Sequence, residues 1–271
     1  MYKVVVSDLD GTLFNQAHQI SPYTRQVIHQ LLDQGYKFIL ATGRHHQDVQ
    51  KIRSQLGIDC FLITSNGAMV HDKQDNLIHT QSIEPKLVAK LLEIERPTGV
   101  HANIYRGDEW FVEQESPDLL EFHPDSAFSY QLCDFRSLDK EGTTKLFFSG
   151  SHEELLALEK VFEAQLGDKL HIAFSLPTCL EVMAKGVNKG SALEAVLKVK
   201  GFKAEQSVAF GDGMNDYEML KTAGLGVVMS NAHDRLKQQL PEHPRAGSND
   251  DDGVAHFLNE LLFNQQQQQS A

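Results

Sequence analysis

The stretch Val4-Val5-Val6-Ser7-Asp8-Leu9-Asp10-Gly11-Thr12-Leu13 decides how the rest of the chain is read. Three consecutive β-branched residues have the composition of a buried parallel strand. Asp8 and Asp10 follow where that strand should end, and Gly11 lets the backbone turn. In open α/β sheets, ligands bind beyond the carboxyl ends of the strands. Two carboxylates placed there can share a hard cation, or divide nucleophilic attack and proton transfer between them. Asp-x-Asp-Gly also occurs in plain turns and at the start of calcium loops. A calcium loop needs further carboxylates, and residues 14–20 supply none.

Working outward, strands and helices alternate. Ser21 and Pro22 open a helix to Gln34, with Val27, Ile28, Leu31 and Leu32 as its apolar stripe. Lys37 to Ala41 reads as a strand ending in Thr42-Gly43-Arg44. A helix from His46 to Leu56 stops at Gly57, and Cys60 to Ile63 is a strand ending in Thr64-Ser65-Asn66-Gly67. Short connections between such elements are the pattern of a parallel sheet with right-handed crossovers. The pattern resumes late. A helix runs from Asn188 to Lys200, and Ser207 to Phe210 is a strand ending in Gly211-Asp212-Gly213-Met214-Asn215-Asp216. A helix to Ala223, a strand at Leu225 to Met229, and helical stretches at Ala232 to Gln239 and Gly253 to Leu262 complete it.

The segment between reads differently. A helix at Pro85 to Glu95 precedes strands at His101 to Tyr105 and Glu109 to Glu113, then a poorly patterned stretch at 115–127. Strands at Phe128 to Leu132 and Thr144 to Ser149 follow. Ser151 and Glu154 form a capping box for a helix to Leu166, and strands at Leu170 to Phe174 and Cys179 to Met183 close the segment. Strands paired around two helices suggest an α+β insert with a mainly antiparallel sheet. The expected domains are a core at 1–83 and 187–264, an insert at 84–186 and a disordered polar tail at 265–271. Residues 84–186 carry 19 acidic and 10 basic side chains, so most of the formal charge of −12 lies in the insert.

The 271 residues are 41% hydrophobic and 23% charged, which is ordinary for a globular protein. The acidic balance argues against a nucleic-acid surface. No apolar run approaches the ~20 residues that span a bilayer. No basic-then-apolar segment opens the chain. Cys60, Cys133 and Cys179 are scattered and odd in number, so reduced thiols and a cytoplasmic location are expected, with no membrane partner.

Asp8-Leu9-Asp10-Gly11-Thr12, Thr42, Asn188-Lys189-Gly190 and Gly211 to Asp216 occur in one order at strand ends and helix starts. In this they resemble the haloacid dehalogenase superfamily of phosphohydrolases. The resemblance covers the whole chain outside the tail, and the Gly-Asp-Gly-Met-Asn-Asp and Asn-Lys-Gly runs are similar to the Cof-type subfamily. It implies a Rossmann-like core with an inserted α+β cap of the C2 type. It also implies Mg²⁺-dependent hydrolysis of a small phosphorylated metabolite through an aspartyl-phosphate. On this resemblance Asp8 is the nucleophile and Asp10 moves protons to the leaving group and from water. Asp8, Asp10 (through its backbone carbonyl) and Asp212 hold the metal. Leu9, Thr42, Gly43, Lys189 and Asn215 address phosphate, and Asp216 supports Lys189 or a metal-bound water. Residues 41–46 and 178–184 are most similar to the pyridoxal phosphate phosphatases of that subfamily, which makes pyridoxal phosphate the expected substrate. A sugar-phosphate phosphatase, a phosphomutase and a regulatory protein phosphorylated on Asp8 are the alternatives.

The substrate body needs its own contacts. Arg44 follows the second motif, and Asn66 and Gly67 end a strand, where they can touch substrate or form the hinge to the insert. Within the insert, Arg106, Trp110, Thr178, Cys179, Glu181 and Met183 are candidates for substrate contact. A lone tryptophan is more often core than ligand platform.

Overall fold

The computed structural model describes residues 2–120 and 128–264. The chain begins with β1 (Val4–Ser7), α1 (Pro22–Asp33), β2 (Lys37–Ala41), α2 (His46–Leu56) and β3 (Phe61–Thr64). There follow β4 (Met69–His71), β5 (Leu77–Thr80), α3 (Pro85–Glu93), β6 (His101–Arg106), β7 (Glu109–Val112), α4 (Pro117–Leu120) and β8 (Tyr130–Leu132). Then come β9 (Thr143–Ser149), α5 (His152–Leu166), β10 (Leu170–Leu176) and β11 (Cys179–Ala184). The last part holds α6 (Lys189–Lys200), β12 (Ser207–Gly211), α7 (Tyr217–Thr222), β13 (Leu225–Met229), α8 (Asp234–Gln239), β14 (Arg245–Ala246) and α9 (Gly253–Leu258). The expected tail at 265–271 lies outside the described residues.

The elements fall into two compact units. Of the described residues, one comprises 2–42, 58–63 and 189–264 and the other 43–57, 64–120 and 128–188. In the first, parallel strands run in the order β14-β13-β12-β1-β2-β3. β1 sits in the middle because Val4, Val5 and Val6 can lose all their exposure there. Burial of three branched side chains is worth about 1.5–3 kcal/mol each. Ser21 caps α1 by accepting from the Thr24 amide at 3.0 Å. The turn after β1 passes through Gly11 at φ +75°, where a Cβ would overlap the Asp212 carboxylate. Glycine is therefore required there both for conformation and for room.

The second unit has an antiparallel sheet, β10-β11-β9-β6-β7, with β8 added parallel to β7. Helix α5 packs on β10 and β11, and α3 on β9. Phe148 and Phe162 meet on that side with ring centroids 5.0 Å apart. The other face is mixed. Registers Asn103↔Phe147, Tyr105↔Lys145, Tyr105↔Trp110 and Glu181↔Phe147 put polar and aromatic side chains on it together.

The unit boundary differs from the expected 83/84: residues 43–57 and 64–83 group with the insert, to which side chains such as His45 and Asn66 bond, while 58–63 stay with the core through the pairing of β3 with β2. His45 stacks on Phe128 at 4.2 Å and bonds the Gly107 carbonyl at 2.8 Å, while Arg53 pairs with Asp75 at 2.5 Å. The hairpin β4–β5 and the two-residue β14 were not anticipated. All four residues of β5 are exposed, so no alternation marks it. Among the described residues no helix is long and apolar enough to cross a membrane.

Candidate active site

The ends of β1 and β12 and the start of α6 deliver four side chains to one place. Lys189, at the first turn of α6 and fully buried, donates from Nζ to Asp8 Oδ1 at 2.8 Å and to Asp216 Oδ1 at 2.6 Å. Asp216 is equally buried, and its second oxygen accepts from the Asp212 and Gly213 amides at 3.0 Å each. Thr12, from the turn after β1, donates to Asp212 Oδ1 at 2.7 Å. Three of the carboxylates, Asp8, Asp212 and Asp216, present oxygens within 4.8 Å of one another. The glycine at 211 allows this closeness, since a Cβ there would overlap Asp216.

One ammonium does not balance this much negative charge. Burial raises the Asp8 carboxyl well above its ordinary value, and Asp216, Asp212 and Asp10 push the same way against the pull of Lys189. Asp212 is pushed up to about 7, by burial first and then by Asp216, with Thr12 and Lys189 opposing. For Lys189, burial works against its charge, but Asp216 and Asp8 outweigh it and hold the ammonium above its usual range. The cluster is charge-poor in cations and built of hard oxygen donors. A divalent cation such as Mg²⁺ suits that donor set, and Asp8 and Asp212 fit it better than Asp216, whose two oxygens already serve Lys189 and the two amides.

Other residues singled out in the sequence lie nearby or apart. Asp10 is about a quarter exposed, at 28%, with His18 Nδ1 3.7 Å from its Oδ1. Thr42 is buried immediately after β2, its amide donating to Ile63 O at 2.8 Å. Asn215 is buried on the turn after β12.

In the second unit, Gly43, Asn66, Glu181 and Met183 come together. Asn66 Nδ2 donates to Glu181 Oε2 and lies 3.7 Å from Met183 Sδ. Arg44 accepts the Ser65 amide on its carbonyl at 2.9 Å, and Gly67 closes the turn at φ +96°. Arg106 is turned to Glu109 at 2.8 Å and to the Asp139 carbonyl at 3.0 Å. Trp110 is 1% exposed and donates to Asn103 Oδ1 at 3.0 Å, inside the cluster of Tyr105, Val112, Phe128 and Phe147. Thr178 is exposed at the β10–β11 turn, and its carbonyl accepts the Gly150 amide at 3.2 Å. Cys179, on β11, packs against the same aromatic cluster, and burial pushes its thiol up to about 12.

Sequence reasoning missed two features. Lys145, 3% exposed, donates to Glu181 Oε1 at 2.5 Å and to the Gly43 carbonyl at 2.6 Å. The signal was available, because a lone lysine sits inside the strand Thr-Thr-Lys-Leu-Phe-Phe, and lysine is almost never fully buried unless paired. Asn231 donates to the Gly11 carbonyl at 2.7 Å, bracing the turn that carries Asp10. Nothing local in the sequence pointed to it.

The chain is similar to known proteins along most of its length. The haloacid dehalogenase-like hydrolase family model matches residues 5–258. An HMP-PP phosphatase of Yersinia pestis is 39% identical over 262 residues, covering 97% of this chain and 96% of its own. A haloacid dehalogenase-like hydrolase from B. subtilis superposes with TM-score 0.85 at 28% identity, over 96% of this chain and 100% of its own. The HAD subclass IIB sugar phosphatase BT4131, at 23% identity and TM-score 0.80 over 95% and 98%, shares the fold. With a parallel-sheet core, an inserted α+β cap and this family match, the chain belongs to the haloacid dehalogenase-like hydrolases of the Cof type and is a phosphatase.

Proposed function

We propose that the chain is an Mg²⁺-dependent phosphatase of small phosphate monoesters that works through an aspartyl-phosphate on Asp8. The observation that carries this reading is the buried Lys189 ammonium bridging Asp8 and Asp216, with Asp212 beside them. A carboxylate does not attack a phosphate dianion unless the repulsion between them is offset. Lys189 supplies one buried charge at the Asp8 oxygen. Asp8, Asp212 and the Asp10 carbonyl would hold Mg²⁺, which when bound supplies charge neutralisation and polarises the phosphoryl group.

An Asp8 oxygen attacks phosphorus and the bond to the leaving oxygen breaks. Asp10 gives that oxygen its proton, then takes one from the water that cleaves the acyl phosphate. Its partial exposure suits this role, because Asp10 must meet both leaving group and water. Thr42, the Leu9 and Gly43 amides and Asn215 are the proposed phosphate donors. Asp216 holds Lys189 in place.

For the substrate, the resemblance at 41–46 and 178–184 favours pyridoxal phosphate, and the name of the Yersinia relative adds HMP-PP. Released phosphate is measured with HMP-PP, pyridoxal phosphate, hexose phosphates and p-nitrophenyl phosphate, in EDTA and with Mg²⁺ restored. Turnover that EDTA stops and Mg²⁺ restores supports the reading, and full activity in metal-free buffer overturns it. Return of phosphate to product in place of release identifies a phosphomutase. A stable phospho-Asp8 with no turnover identifies a regulatory phospho-acceptor.

A further inference from the structure

The side chains of Thr64 and Ser65 introduce an unusual segment. Ser65, Asn66 and Gly67 follow one another at φ +48°, +54° and +96°. Two successive non-glycine residues in the left-handed region are costly, and such strain persists only where surrounding contacts over-determine it. Among the described residues, Thr64 Oγ1 and Ser65 Oγ are also buried without a hydrogen-bond partner. Buried unsatisfied groups next to strained backbone are commonest at functional sites.

The contacts that hold this segment are specific. Asn66 donates to Glu181 Oε2, and Glu181 Oε1 receives Lys145 Nζ at 2.5 Å. The same Nζ donates to the Gly43 carbonyl at 2.6 Å and stands 4.7 Å from the Tyr105 ring centroid and 5.0 Å from that of Phe147. Lys145 and Glu181 are each 3% exposed. Their register explains the pairing. Glu181 lies opposite Phe147, and Lys145 is two residues from Phe147 on the same face, so the two are diagonal neighbours. A Cβ at Gly43 would lie 3.1 Å from Asn66 Oδ1 and 3.2 Å from both Glu181 oxygens. One buried ion pair therefore grips two chain segments, the one that follows Thr42 and the one that follows Ile63.

We infer that Lys145 and Glu181 are positioning residues that fix Gly43 and Asn66 for the substrate. The inference rests on the phosphatase reading, in which Gly43 addresses phosphate and Asn66 the substrate body. It also changes the role of Glu181, whose two oxygens are committed to Lys145 and Asn66 and so act on substrate through Asn66. A buried ion pair is weak as a source of stability, because desolvation offsets its attraction. Geometric specificity is the better account of one that ties down strained backbone.

The test separates positioning from stability. The double variant Lys145→Met/Glu181→Leu leaves no charge unpaired, and such replacements commonly keep or raise stability. Its expected melting temperature is at or above that of wild type. Hydrogen exchange at the Ser65 and Ala68 amides should speed up roughly ten-fold while Leu155 and Leu158 in α5 stay unchanged. Misplacement on the ångström scale should lower kcat for p-nitrophenyl phosphate by about 10- to 100-fold. A stable double variant with wild-type exchange at 65 and 68, or with wild-type kcat, overturns the inference. If the double variant does not fold, Glu181→Gln, which keeps size and shape, is read by the same two measurements with the same expectations. If wild type turns over no phosphate ester at all, the phosphatase reading fails, and exchange alone decides the positioning role.

Discussion

Lys189 and Asp216 form an ion pair in which neither side chain has any exposure, with Nζ 2.6 Å from Oδ1. Asp216 has no further role to fill, since its other oxygen caps two amides. It fixes the ammonium, and the ammonium's second bond fixes Asp8. On the proposed mechanism, stability and chemistry are thus joined in one side chain at the start of α6.

Lys189→Ala should damage both. Removing one partner of a buried pair leaves an uncompensated charge and costs about 3–5 kcal/mol. Loss of one preorganised donor lowers rate by roughly 10²- to 10³-fold. Urea denaturation and steady-state kinetics on p-nitrophenyl phosphate give the two numbers. A Lys189→Ala protein as stable as wild type contradicts the proposed charge balance.

Asp8→Asn should separate them. The raised Asp8 carboxyl shows that its charge is unfavourable in the fold, with burial and Asp216 outweighing Lys189. A neutral isostere removes that cost. In EDTA at pH 7 the variant should be more stable than wild type by on the order of 0.5–2 kcal/mol, while turnover is abolished. Denaturant midpoints in EDTA, and activity in preparations free of contaminating phosphatase, check both halves. Residual wild-type turnover would remove Asp8 as nucleophile.

The second unit should weaken in acid. His45 is lowered from 6.5 to about 4, by burial first, and His71 likewise to about 4, by burial and then by His46. The bonding of His45 requires the neutral ring, with Nε2 donating to Gly107 O and Nδ1 accepting the Gln47 amide at the start of α2. Between pH 6.5 and 4 the unfolded chain binds protons that the folded one refuses, so stability falls as pH falls. Full loss amounts to roughly 3 kcal/mol per histidine, present above 6.5 and gone near 4. Denaturant midpoints across that window should flatten by about one proton in His45→Gln relative to wild type. An unchanged slope would show that His45 does not carry this linkage.

Trp110 should report stability and not substrate choice. It lies in an aromatic core with its indole bonded to buried Asn103. Trp110→Ala should cost about 3–5 kcal/mol. The ratio of kcat/KM for pyridoxal phosphate to that for p-nitrophenyl phosphate should hold constant in Trp110→Phe. A shift of that ratio would return the tryptophan to the substrate contacts.

Much of the fold was legible because it is written locally. The α1 cap at Ser21, the capping interaction of Ser151 with Glu154 at the start of α5, and the β1 valines each act over a few residues. Element ends moved by a few residues, as at β10, which runs on to Leu176, and at the last helix, where α9 ends at Leu258 and a π-helical turn, Asn259–Asn264, continues it. The hairpin β4–β5 was invisible for the opposite reason. Its turn is organised by Asp72, which accepts the Gln74 and Asn76 amides at 2.8 and 2.9 Å, while β5 buries nothing that a pattern could show.

The sequence by itself determined the family and the core motifs, because a strand followed by Asp-x-Asp, a helix opened by Asn-Lys-Gly and a late Gly-Asp-Gly-Met-Asn-Asp are short-range signals with fixed order. It did not determine what each charged side chain faces. Lys189 meets Asp8 across 181 positions, and Asn66 meets Glu181 across 115. Only tertiary structure decides such pairings, since they follow from strand register and sheet order and leave no periodicity behind. The same holds for the raised carboxyls of Asp8 and Asp212, which come from burial and crowding that exist only once β1, β12 and α6 have met. Lys145 and Trp110 mark the two ways this can go. The lysine became the centre of a buried polar grip because a carboxylate lay diagonally across from it, and the tryptophan became core because Asn103 satisfied its one polar atom.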